Sequence, residues 1–194
     1  MKMLGSKMIE TERLILRPTE EQDLKIIFDI LSIPEVNKYY LTSKLGKNFE
    51  EELPWQMKKL NKAKNEDVFQ WSITKKEDNE CIGQISVQDG EHSSLEVRDI
   101  GWFINPKEQR KGYAFESAKN VIDYMFKDVE IGAIETSSAI CNPASYALME
   151  KLGFKKRGNE IKKQKYTFVE DLVDCYLYGI TKDEYLNNEK KSSN

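Results

Sequence analysis

Gln109-Arg-Lys-Gly112-Tyr-Ala114 lies where a short apolar run, Ile100 to Ile104, gives way to apolar residues at helical spacing: Ala114, Ala118, Val121, Ile122 and Met125. Asn105-Pro106 ends the apolar run, so the segment reads as strand, loop, helix. A helix N-terminus normally carries a capping side chain and acidic residues in its first turn. Its first N–H groups have no intrahelical partner, and the macrodipole is positive there. This junction has two cations, Arg110 and Lys111, and no capping side chain. Uncapped N–H groups, added positive charge and a glycine that lets a ligand approach the backbone suit an anion, most naturally a phosphate or pyrophosphate; a solvated basic turn is the alternative. Neither Gly-x-x-x-x-Gly-Lys-Ser/Thr nor Gly-x-Gly-x-x-Gly occurs, so nucleoside triphosphate and dinucleotide loops lack their signatures.

The remaining reactive side chains are sparse. Cys81, Cys141 and Cys175 are widely spaced, odd in number and without a Cys-x-x-Cys or nearby histidine, which argues against a zinc site or disulfide framework and fits a reducing compartment. Cys141 as a nucleophile lacks an activating partner, and a buried strand-end cysteine is the simpler expectation. The single histidine, His92, falls in the polar turn Asp89-Gly-Glu-His-Ser-Ser94 and reads as a surface residue, so no metal is expected. A net charge of −3 gives no basic footprint for nucleic acid. No run of about 18 apolar residues is present, so no membrane span is expected. The first eight residues lack the apolar stretch of a signal peptide, and the protein reads as cytoplasmic.

The elements that must position the loop follow from periodicity. Thr11 to Pro18 alternates as a strand, and Thr19-Glu-Glu-Gln22 reads as a capping box before Leu24, Ile27, Phe28 and Leu31 at helical spacing. A connection rich in aromatics, including Tyr39 and Tyr40, leads to a helix from Phe49 to about Asn61 that contains Trp55. Val68 to Thr74 and Cys81 to Val87 form a hairpin, with Gly83 marking a bend or bulge. After the Ala114 to Lys127 helix comes a strand, Ile131 to Ser137, parallel to its predecessor if the crossover has the usual hand. Asn142, Pro143 and Gly153 supply the cap, first position and left-handed stop of the next helix. Lys155 to Lys165 is an irregular strand-loop region leading to Phe168, and Asp174 to Ile180 is the last strand. Thr181 to Tyr185 is a short capped turn. One domain over 1–186 is expected, with 187–194 a polar disordered tail.

Gln-x-x-Gly-x-Ala over 109–114 resembles the acetyl-CoA pyrophosphate loop of the GNAT superfamily of N-acetyltransferases. Asn142-x-x-Ser145 followed by Glu-Lys-Leu-Gly-Phe154 resembles its second CoA-side motif. Thr11-Glu-Arg-Leu-x-Leu-Arg-Pro18 is similar to the opening strand of the branch typified by the ribosomal-protein N-terminal acetyltransferases (RimJ/RimL type). The resemblance implies an α/β (α+β) fold: a mixed, mostly antiparallel sheet of about seven strands flanked by about four helices, with a parallel pair splayed around the acetyl-CoA site. It implies direct acetyl transfer from acetyl-CoA to an amine acceptor, either a protein N-terminus or a small molecule such as a polyamine, amino acid or antibiotic. The enzyme would be a monomer or homodimer. A non-catalytic acyl-CoA-sensing module is the alternative from another class.

By motif match, Gln109, Arg110, Lys111, Gly112, Tyr113 and Ala114 would hold the pyrophosphate, and Asn142 would serve the CoA arm. Phe103 and Ile104 would pair with the pantetheine by main chain and polarise the acetyl carbonyl. Many family members carry a tyrosine seven residues after the asparagine; here that position is Met149, which donates no proton. Ser145 is the implied acid or thiolate stabiliser, with a backbone-bonding helix residue as its alternative. Asp99 is the candidate base, Glu135 its reserve, and water suffices for an amine of low pKa. Tyr39, Tyr40 and Trp55 are placed to touch the acceptor or simply to pack.

Overall fold

The computed structural model describes residues 1–2, 4–40, 45–65, 68–89, 96–166 and 171–192. His92, Ser94, Leu95 and Phe168 lie outside the described residues. In chain order the elements are β1 (Ile9–Glu10), β2 (Leu14–Pro18), α1 (Leu24–Leu31), α2 (Pro34–Asn37), α3 (Phe49–Asn65), β3 (Phe69–Lys75), β4 (Cys81–Asp89) and β5 (Val97–Ile104). They continue with α4 (Tyr113–Lys127), β6 (Ala133–Ala139), α5 (Pro143–Lys151), β7 (Lys155–Gln164), β8 (Val173–Thr181) and α6 (Lys182–Ser192). The strands form one sheet in the order β1-β2-β3-β4-β5-β6-β8-β7, antiparallel throughout except for the β5/β6 pair. Eight strands and six helices exceed the expected seven and four among the described residues. The additional elements include two-residue β1 and one-turn α2, which are too short to show a period. α6 reaches Ser192, so the helix begun by the Thr181 cap extends through most of the stretch expected to be a disordered tail.

Alternation along β5 assigns its faces. Ile100 and Ile104 join the main core with Ala118, Val121, Ile122 and Met125 of α4, all buried. Phe103 points to the other face, where it packs with Ile27, Ile30 and Leu31 of α1 and Val36 of α2. Burial of each such side chain contributes roughly 1.5–3 kcal/mol, so α4 and the α1–α2 pair are clamped to opposite faces of the same strand. The capping box before α1 lies one residue later than the sequence suggests. Asp23 accepts the Glu20 N–H (2.9 Å), the Ser72 hydroxyl (2.8 Å) and the Arg17 guanidinium (2.6 Å to Oδ2), so a buried charge ties helix to sheet with its hydrogen bonds satisfied.

Gly83 lies at the expected irregularity: the β3/β4 register shifts between Ile73 and Thr74, opposite Gly83 and Cys81. A Cβ on Gly83 would sit 2.2 Å from the Phe103 carbonyl oxygen. Gly83→Ala should therefore push β4 from β5 and lower stability by about 1–3 kcal/mol, read as a lower urea midpoint at unchanged slope; an unchanged midpoint would refute this close approach.

A second test concerns α6. The Glu184 carboxylate accepts from Lys155 (2.9 Å), from the Thr181 N–H (3.0 Å) and from Arg157, tying β7 and β8 to α6. The Lys155 contact first, then the Thr181 N–H, hold it at about 2 rather than 4.5, against the opposing effect of burial, with Arg157 adding to the depression. A depressed carboxylate stabilises the fold above its unfolded value, and that contribution fades as pH falls from about 4.5 towards 2. Glu184→Gln should flatten the acid limb of the stability profile in that window, with the loss relative to wild type largest and pH-independent above it and shrinking as pH falls through it.

Candidate active site

The site begins where the parallel pair stops. β5 and β6 pair only through Val97↔Ala133, Arg98↔Ile134 and Asp99↔Glu135, whereas β5 stays paired with β4 to Ile104 and β6 with β8 to Ala139. Beyond Asp99 and Glu135 the strands diverge. At the fork, the Thr136 hydroxyl donates to the Ile100 carbonyl (3.0 Å), a side chain taking the place of the next ladder bond. A cleft of about 1070 Å³ opens there, lined from the fork outward by both strands, α2, α3, the β5–α4 loop and α5.

Main-chain groups alternate in direction along a strand. The Ile100 carbonyl meets Thr136 and the Ile104 carbonyl accepts from Gln109 Nε2 (3.0 Å), both on the fork side. The Phe103 carbonyl is turned the other way, onto Gly83 of β4. Trp102 and Ile104 therefore present their backbone to the fork. This corrects the expectation for Phe103, whose carbonyl faces β4 and not the fork.

Gln109, Arg110, Gly112, Tyr113 and Ala114 all line the cleft. Gln109 bridges back to the strand end, and Arg110 takes a left-handed φ of 62°, a conformation that costs a non-glycine residue of order 1 kcal/mol. Gly112 is the N-cap of α4, with φ 87° and ψ 0° and no side chain bonding the helix N–H groups. The uncapped turn foreseen from sequence is present, and its backbone donors are available to an anion. Lys111 departs from expectation: it is absent from the cleft lining, and its Nζ pairs with Glu108 (2.9 Å).

Across the cleft, Asn142 occupies the N-cap position of α5 but makes no side-chain cap, and Pro143 follows in the first turn. The capping role read from sequence falls to no side chain, so the carboxamide is left for the cleft it lines. Ser145 also lines the cleft; among the described residues its hydroxyl bonds no backbone group, which removes the alternative reading of it as a helix-bonding serine. Met149 is buried in the main core, filling the position of the missing tyrosine with an apolar side chain. Tyr146 does not replace that phenol: it points to the far side, stacked on Tyr178 and edge-on to Tyr176. Cys141 is exposed, not buried as expected, because the chain leaves the sheet two residues before it.

The acceptor half lies beyond the fork. Asp99 and Glu135 are register partners on adjacent strands, so their side chains leave the same face about one strand spacing, ~4.8 Å, apart. Tyr39, Tyr40 and Trp55 all line this half. Tyr40 packs edge-on against Phe103 at 5.1 Å and lies over Gly101, whose added Cβ would meet the phenol oxygen at 3.5 Å. Burial first, opposed by a hydrogen bond with Ser86 and reinforced by the charge of Asp99, pushes the Tyr40 phenol up to about 12. Nothing in the local pattern of Tyr40 separates a packing aromatic from one that meets the acceptor, and its place over Gly101 comes from the fold. Among the described residues, no group of three His, Cys, Asp or Glu side chains could hold a metal, and no helix is long and apolar enough to cross a membrane.

With this geometry, comparisons with known proteins agree on one family. The profile described as "Acetyltransferase (GNAT) domain" matches residues 13–155. The uncharacterised N-acetyltransferase YnaD of Bacillus subtilis is 28% identical over 183 residues, 91% of this chain and 98% of that protein. Two solved structures share the fold. Spermidine N-acetyltransferase from Vibrio cholerae, in complex with CoA and spermine, has a TM-score of 0.76 at 21% identity and covers 90% of this chain and 98% of its own. Ribosomal-protein-S5-alanine acetyltransferase from Vibrio fischeri has 0.76 at 20%, covering 92% and 98%. The forked sheet, the uncapped turn at Gly112 and the profile match over residues 13–155 together make this chain a member of the GNAT family of acetyltransferases, enzymes that use acetyl-CoA.

Proposed function

We propose that the chain acetylates a cationic small amine of the polyamine type, by direct transfer within a ternary complex. The observation that carries this is the Asp99–Glu135 pair: two carboxylates side by side on the cleft floor at the fork, a placement that favours a protonated amine over an uncharged acceptor. The neighbour crystallised with CoA and spermine supports the same class. A protein N-terminal α-amino group is the second reading, supported by the shared fold with ribosomal-protein-S5-alanine acetyltransferase. The opening motif does not argue for it, because Thr11 and Arg13 lie against the cofactor loop and not the acceptor half.

Each chemical task has a residue. Acetyl-CoA is held at its pyrophosphate by the N–H groups after Gly112, with Arg110 adding charge, and along its arm by the backbone of Trp102 and Ile104 and the amide of Asn142. Asp99 accepts the proton the ammonium must lose before its nitrogen attacks, with Glu135 beside it lowering the cost of holding the cation. The tetrahedral intermediate collapses with loss of the CoA thiolate, to which Ser145 donates a hydrogen bond. Tyr40, neutral to about 12, positions the acceptor by hydrogen bonding; such a weak acid is poorly matched to protonating a thiolate whose conjugate thiol titrates near ~8.5. A cytoplasmic location belongs to the same proposal, as the compartment that supplies acetyl-CoA.

Gly112→Val would put a branched side chain at φ 87°, with its Cβ 3.2 Å from Arg13 Nη2, and calorimetry should show acetyl-CoA binding weakened at least about tenfold. Thiol release followed across spermidine, spermine, amino acids and N-terminal peptides should favour the polyamines. Ser145→Ala and Asp99→Asn should each lower kcat on the order of 10–100-fold with acetyl-CoA affinity retained. Turnover confined to N-terminal peptides would replace the first reading by the second, and wild type that binds no acetyl-CoA would end both.

A further inference from the structure

Thr11 and Arg13 of the opening motif have no part in the chemistry above, yet they converge on the cofactor loop from outside the cleft. Arg13 Nη1 donates to the Lys111 carbonyl (2.8 Å), Nε donates to Glu116 Oε2 (2.7 Å), and Nη2 lies 2.6 Å from the same oxygen. The other carboxylate oxygen accepts from the Arg13 N–H (2.8 Å) and the Thr11 hydroxyl (2.6 Å). The guanidinium also covers the Tyr113 ring at 4.6 Å.

Glu116 poses a conflict that this arrangement resolves. It stands in the first turn of α4, where a carboxylate favours the helix dipole but opposes an anionic ligand at the same N-terminus. Burial raises its pKa most, yet the Thr11 hydroxyl, the Arg13 N–H and the Arg13 side chain together hold it below the usual carboxylate range, so it is charged and the charge is answered locally. The bond to the Lys111 carbonyl, meanwhile, fixes the peptide between the strained Arg110 and the left-handed Gly112, which sets where the following N–H groups aim.

We infer that Arg13 is a positioning residue for the donor. It locks the Lys111 carbonyl outward and neutralises Glu116, so that the loop reaches acetyl-CoA already shaped and net positive. The inference rests on the reading of residues 109–114 as the pyrophosphate site. S-acetylpantetheine, which delivers the same acetyl thioester without a pyrophosphate, separates this role from a general structural one. Arg13→Ala should raise KM for acetyl-CoA about tenfold while leaving KM for the amine, and kcat/KM with S-acetylpantetheine, within about twofold. Arg13→Lys, which keeps the charge but cannot reach both Glu116 and the Lys111 carbonyl, should fall between, and it carries the test if the alanine variant fails to fold. Adding Glu116→Gln to Arg13→Ala should recover part of the loss by removing the stranded charge. Equal losses with both donors, or no change with acetyl-CoA, would overturn the inference. Failure of the wild type to bind acetyl-CoA would instead remove the pyrophosphate reading beneath it.

Discussion

The site depends on β5 and β6 being parallel for three residue pairs and then parting. Each strand keeps its outer partner past the fork, so β5 is held by β4 and β6 by β8 while their inner edges separate. Separation exposes backbone groups that a continuous sheet would pair, and such groups must find another partner. Thr136 satisfies the first, at the Ile100 carbonyl, and Gln109 reaches back to the Ile104 carbonyl. Those remaining are the natural partners for an extended thioester arm. The close β4–β5 contact at Gly83 serves the same end, since a strand held tightly on one side can be left open on the other.

The loop after β5 carries a second unpaired set, the first N–H groups of α4. A serine or aspartate cap would satisfy them and close the site. Gly112 satisfies nothing, and with Arg110 it takes a positive φ that most residues avoid. Such a conformation persists only where its surroundings over-determine it, and here they do: Arg13 and Glu116 grip the loop from behind, while Gln109 ties its start to the strand. Strain and missing cap thus occur together, leaving backbone donors at the start of α4 that no side chain caps.

Charged groups of both signs line the cleft. Its cofactor end offers helix N–H groups, Arg110 and Lys151, the last resting over the Phe115 ring at 4.4 Å. Its acceptor end offers Asp99 and Glu135, with Tyr40 packed above the reaction centre. Met149 is buried in the core, Ser145 lines the cleft from α5, and the half-buried phenol of Tyr40 comes from a different element altogether.

The sequence by itself determined the local grammar. The strand-loop-helix around Gly112, the Pro143 start and Gly153 left-handed stop of α5, and the Thr181–Glu184 cap of α6 are decided by backbone preference and short-range hydrogen bonds, and each is found where residue types place it. So too the irregularity at Gly83, where a side chain has no room. What only the tertiary structure decided depends on contacts between residues far apart in the chain. The strand face toward which Phe103 turns its carbonyl and the reach of Arg13 across more than a hundred residues to Glu116 leave no trace in any local window. Tyr40 and Tyr146 are both tyrosines on the approaches to the site; the packing of α2 onto Phe103 brings one over the fork, and the stacking of α5 on β8 turns the other away. Periodicity and turn chemistry act over a few residues, whereas a functional site is an agreement among elements, which the chain can make only once it has folded.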